Sequence, residues 1–181
     1  MKDENKSKGK CQLNISIVKL WSDYIFYMRS FIVSSVDKLP DVIFIVKRLE
    51  QNQDDIGDLF ATVYGEYNGN RFSELLKEHL SLTVDFINST IKGEIEDSIS
   101  HKMRCHMDII KIADFLSAID DFDRPYLRGL FFEHLHLTEE YLMVRVHGSY
   151  ENDIKVFDNL HDQILLVANT LFYVMSYRIK D

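Results

Sequence analysis

The stretch LLKEHLSLTVDFI, residues 75–87, returns as LFFEHLHLTEEYL, residues 130–142, at a constant offset of 55 with six of thirteen positions identical. The identities include His79 with His134 and Thr83 with Thr138. In both copies apolar residues recur at intervals of three and four, the period of a helix with one buried face. Upstream, NQDDIGDLF (52–60) aligns with DIIKIADFL (108–116) at an offset of 56, pairing Asn52 with Asp108, Ile56 with Ile112, Gly57 with Ala113 and Asp58 with Asp114. Two matches in the same order and at nearly the same offset mark two copies of one helical hairpin. A duplicated hairpin predicts pseudo-twofold packing, with the paired polar positions converging near the axis.

Outward from the repeat the helical period continues. A first helix is expected over about 14–36, carrying Ile17, Leu20, Trp21, Tyr24, Met28 and Phe31, and Leu39-Pro40-Asp41 ends it. The next runs to about Tyr67 with an apolar stripe interrupted by Asn52, and Asn68-Gly69-Asn70 reads as a turn. Helices follow over about 72–91 and 95–119; then Asp123 and Pro125 supply an N-cap and a first-turn proline for a helix ending near Val146. A last helix over about 152–177 shows the stripe Ile154, Asp158, His161, Leu165, Ala168 and Phe172. Short connections imply antiparallel neighbours, so the fold class is all-α, an up-and-down bundle of about six helices. Residues 1–12, charged and polar, read as a disordered tail, and residues 13–181 as one domain.

Composition narrows the function classes. Gly and Pro total nine of 181 residues, too few for a sandwich, a barrel or a Gly-rich phosphate site. A net charge of −8 is unsuited to nucleic acid or an anionic membrane surface. Two cysteines without a CxxC, no apolar leader and no apolar run near ~20 residues point to a soluble cytoplasmic chain. The 21 Tyr and Phe residues permit a homodimer face.

Polar residues on stripes that should be buried are the candidate site. They are Asn52, His79, Thr83, Asp108, His134, Thr138, Asp158 and His161, with Asp55 near Asn52 and Tyr24 on the first helix. Asp158 and His161 stand at i and i+3 and share a helix face. An acid-x-x-His pair opposite histidines and carboxylates of other helices is how bundles assemble metal centres. His79, His134 and His161 are the expected ligands, with Asp158 and Asp108 in support, for a transition-metal ion; the spacing does not choose among Zn, Fe, Mn and Ni. Paired Glu-x-x-His motifs and HExxH are absent. The alternative is a non-enzymatic structural or interaction protein whose imidazoles and carboxylates satisfy one another, each threonine bonding back to its own helix. A third reading is a pocket for a small polar ligand around Asn52, Asp55 and Arg29 or Arg48.

The segments LWSDYIFYMRS, LEQNQDDIG, LLKEHLSLT, IADFLSAI, FFEHLHLT and FDNLHDQILLVA resemble, in the same order, a family of small uncharacterised helical proteins of bacteria and some large DNA viruses. The resemblance runs from about Leu20 to Phe172 and implies a helical bundle with a polar centre. Members carry names such as acetylglutamate kinase or glycosyltransferase, which nothing in this chain supports: it has no Gly-rich phosphate loop and no strand–helix alternation. Where the family pattern has Asp-His in the first helix this chain has Asp23-Tyr24, and where it has Asn-Ala this chain has Asp108 preceded by Met107. The first change removes a potential ligand and the second adds a stronger one. Hemerythrin-like and DinB-like bundles are comparable in architecture only.

Overall fold

The computed structural model describes residues 2–179 as six helices without a strand: α1 Lys2–Val36, α2 Val42–Tyr64, α3 Glu66–Lys92, α4 Ile95–Ile119, α5 Arg124–Val146 and α6 Tyr150–Ser176. Each helix packs on the next and α6 returns to α1, closing a ring. α1 also touches α3 and α5, which places it toward the interior. The protein is an all-α helical bundle, and no described helix is long and apolar enough to cross a membrane.

Local chemistry explains most boundaries. Asp123 caps α5 by accepting from the Tyr126 N–H at 2.8 Å, and proline stands in the first turn. Leu39 and Pro40 separate α1 from α2. At the other end of the bundle Asp120, in the α4–α5 connection, accepts from the Tyr64 hydroxyl at 2.8 Å and pairs with Arg178. These bonds hold the Asp120 carboxyl low, at about 2, and tie the end of α2 to the chain beyond α6.

Two expectations are corrected. Residues 2–12, read as a disordered tail, form the first turns of α1. The segment contains no proline, and extending an existing helix needs no new nucleation. The turn expected at Asn68-Gly69-Asn70 lies inside α3, and the chain reverses at Gly65 alone, whose φ of 86° suits glycine.

Gly69 serves a different purpose. It faces Gly57 across the α2–α3 contact, where a Cβ on Gly69 would stand 2.6 Å from the Gly57 carbonyl oxygen and would also strike Ala61. A Cβ on Gly57 would stand 2.6 Å from Ser73 Cβ and 2.8 Å from the Gly69 carbonyl oxygen. Small residues at 57 and 61 and at 69 and 73 therefore let the two backbones nearly touch.

The repeated segments occupy matching environments. Leu75, Leu76, Leu80, Leu82, Phe86 and Ile87 are buried, as are their counterparts Leu130, Phe131, Leu135, Leu137, Tyr141 and Leu142. Thr83 donates to the His79 carbonyl at 2.9 Å, and Thr138 donates to the His134 carbonyl at 2.8 Å.

Candidate functional site

The inner face of the bundle brings together Tyr24 from α1, His79 and Thr83 from α3, Cys105 and Asp108 from α4, His134 and Thr138 from α5, and Gln163 from α6, all buried. Tyr24 Oη lies 3.1 Å from His134 Nε2, joining α1 to α5. Burial, first, and the nearby His79, second, push the His134 imidazole down to about 3, so the ring is neutral at physiological pH. Tyr24 Oη and Nε2 of the neutral ring share one hydrogen bond whose direction follows the tautomer, and burial pushes the tyrosine's own ionisation well above its ordinary range. The Gln163 amide faces the same ring and donates its N–H to the Leu130 carbonyl at 2.6 Å, joining α6 to α5.

Asn52, fully buried on α2, donates to the Leu20 carbonyl of α1 at 3.0 Å and accepts from Gln53. Its repeat counterpart Asp108 is equally buried, with Oδ2 3.5 Å from His79 Nδ1 and Oδ1 3.4 Å from Lys111 Nζ. Both separations suit ion pairs and are long for hydrogen bonds. Among the described residues His79 Nδ1, both Asp108 oxygens, His134 Nδ1 and Gln163 Oε1 lack a hydrogen-bond partner. Cys105 is an inert neighbour: burial pushes its thiol up to about 11.

The five expected metal ligands do not form one group. His79, Asp108 and His134 lie in the central region, but Asp158 is exposed on α6, and His161 sits in an aromatic niche beside Phe26 and Phe157 at 5.3 and 6.3 Å between ring centres. Among the described residues no three His, Cys, Asp or Glu side chains are placed to hold a metal ion. The register of α6 accounts for the positions of Asp158 and His161. Its buried row includes Asp153, Val156, Phe157, Leu160, Gln163, Ile164, Val167, Ala168 and Leu171; of the expected stripe only Ala168 is buried, and Ile154 is 61% exposed. The stripe expected through Asp158 and His161 runs along the edge of that row. Asp55 also lies outside the centre, held at the surface by Arg48 and Gln51.

Gln163, Gln53 and Asp153 were not anticipated from the sequence. Asp153 is buried with Arg145 at 3.3 Å and Arg29 at 3.5 Å, while Arg29 Nε donates to the Tyr141 hydroxyl at 3.1 Å. This second network ties α1, α5 and α6 at a different level of the bundle. The denser apolar row of α6, with two aliphatic or aromatic residues in nearly every turn, carried the signal for Gln163 and Asp153. No family model, curated protein or solved structure matches the chain.

Proposed function

We propose that the central polar network is a packing device in a non-enzymatic structural or interaction protein. It fixes the register of the helices, and recognition is left to the outer surface. The observation that carries this reading is that inner polar side chains reach across to other helices: Tyr24 to His134, Asn52 to the Leu20 carbonyl and Gln163 to the Leu130 carbonyl. Each bond exists in one helix register only. A slip or rotation would leave a buried donor or acceptor unpaired at a cost of about 1–3 kcal/mol. Polar core groups that select one arrangement over others are a known use of such residues.

A second reading is favoured by the unpartnered atoms of His79, Asp108 and His134. Asp108 has only long contacts, to Lys111 Nζ at 3.4 Å and His79 Nδ1 at 3.5 Å, and a transition-metal cation between Asp108 and one imidazole would give this buried carboxylate a closer partner. This reading draws on Asp108 with His79 or His134 and drops Asp158 and His161.

Metal analysis of protein purified without a His tag, with melting curves in chelator and after metal addition, separates the two. The packing reading expects less than about 0.2 equivalents of any transition metal and an unchanged Tm. Near-stoichiometric metal, with a Tm gain abolished by Asp108→Asn, would replace it with the metal reading.

A further inference from the structure

Ile95, Ile99, Met103 and Met107 stand at successive i+4 positions on α4 and are 57–73% exposed. They form one apolar row about 18 Å long at 1.5 Å per residue. Two polar rows run beside it. One holds Glu96, Ser100 and Arg104, all exposed; the other holds Glu94, Ser98, Lys102 and His106. The first row is acidic toward the start of α4 and basic toward its end; in the second, Lys102 is bonded to Glu139 of its own chain and His106 packs on Phe132.

We infer that this face of α4 pairs with the same face of a second copy, antiparallel about a twofold axis near His101. The charge order selects that partner. In a twofold antiparallel pair each row meets itself reversed, so Glu96 faces Arg104 of the partner subunit and Arg104 faces Glu96 of the partner subunit. The apolar row closes on itself about a centre one residue further on, so Ile95 meets Met107 of the partner subunit and Ile99 meets Met103 of the partner subunit, about 3 Å out of step with the charged pairing and within side-chain reach. A parallel twofold pair would set each row against the other row of the partner at the same height, so that Glu96 meets Glu94 of the partner subunit and Arg104 meets Lys102 of the partner subunit, which is repulsive. The contact is isologous, so it closes at two copies and does not propagate. The short seam places it among small interfaces, with a dissociation constant on the order of 10 µM and weakening with salt. The inference is independent of what occupies the polar centre.

Sedimentation velocity on the full chain tests it across about 1–200 µM at low salt. The wild type is expected to pass from monomer to dimer. Because Ile99 and Met103 are exposed, Ile99→Glu or Met103→Glu should leave the helical circular dichroism unchanged and weaken the dimer by at least about tenfold. Glu96→Arg alone should weaken it several-fold, and Glu96→Arg combined with Arg104→Glu should restore it. A chain monomeric throughout that range overturns the inference. So does a dimer indifferent to Ile99→Glu, or a charge-reversed double variant no tighter than the single one.

Discussion

Alanine in place of Gly69 is expected to destabilise the bundle by about 2–3 kcal/mol, although alanine is the better helix former by about 1 kcal/mol. The added methyl would stand 2.6 Å from the Gly57 carbonyl oxygen, a backbone atom that cannot swing aside, and would also meet Ala61. Relief requires α2 and α3 to separate along a contact closed at one end by the single residue Gly65. Gly129 is the control. It too is helical, in α5, but a Cβ there would meet nothing within 4 Å. Gly129→Ala should therefore be neutral or stabilising by up to about 1 kcal/mol. Urea unfolding should show a clear loss for Gly69→Ala and none for Gly129→Ala. A neutral or stabilising Gly69→Ala would mean that the backbones are not in such close contact.

Acidification should destabilise the protein well before its carboxylates titrate. His134 titrates at about 3 in the folded chain against an ordinary histidine value near 6.5. Between those values the unfolded chain binds the extra proton and the folded chain does not, so stability falls as pH is lowered. The slope approaches about 1.4 kcal/mol per pH unit, which gives a loss of about 2–3 kcal/mol between pH 7 and 4.5. His106, whose imidazole is also held low, first by partial burial, shifts stability in the same direction. The paired carboxylates act in a different window, since Asp120, held at about 2, withdraws its contribution only as pH falls through and below the ordinary aspartate range. Unfolding free energies across pH 7 to 4.5 should decline in the wild type and be markedly flatter in His134→Leu. Equal slopes in the two proteins would show that this imidazole is not buried neutral.

The helices were legible because their apolar spacing and caps agree. Asp123 and Pro125 mark the start of α5, and the repeat placed His79, Thr83, His134 and Thr138 on inner faces where the fold has them. Asn68-Gly69-Asn70 misled because the residues that favour turns also favour close helix contact, and only the neighbouring helix reveals which role Gly69 has. On α6 the two rows differ by a small rotation. The acid-x-x-His spacing of Asp158 and His161 drew the reading to the edge row and away from Leu160, Gln163 and Ile164. That rotation removed Asp158 and His161 from the expected centre; the three members on α3, α4 and α5 are inside but are not placed as one ligand set.

The bond between Tyr24 and His134 tests the packing role most directly, because it joins two helices far apart in sequence and has no part in forming either one. A double-mutant cycle with Tyr24→Phe and His134→Leu, read by urea unfolding at pH 7.5, measures their coupling free of each residue's other contacts. The account expects about 1 kcal/mol or more, the net worth of a buried interhelical hydrogen bond. Strictly additive losses, with coupling within about 0.3 kcal/mol of zero, would contradict it.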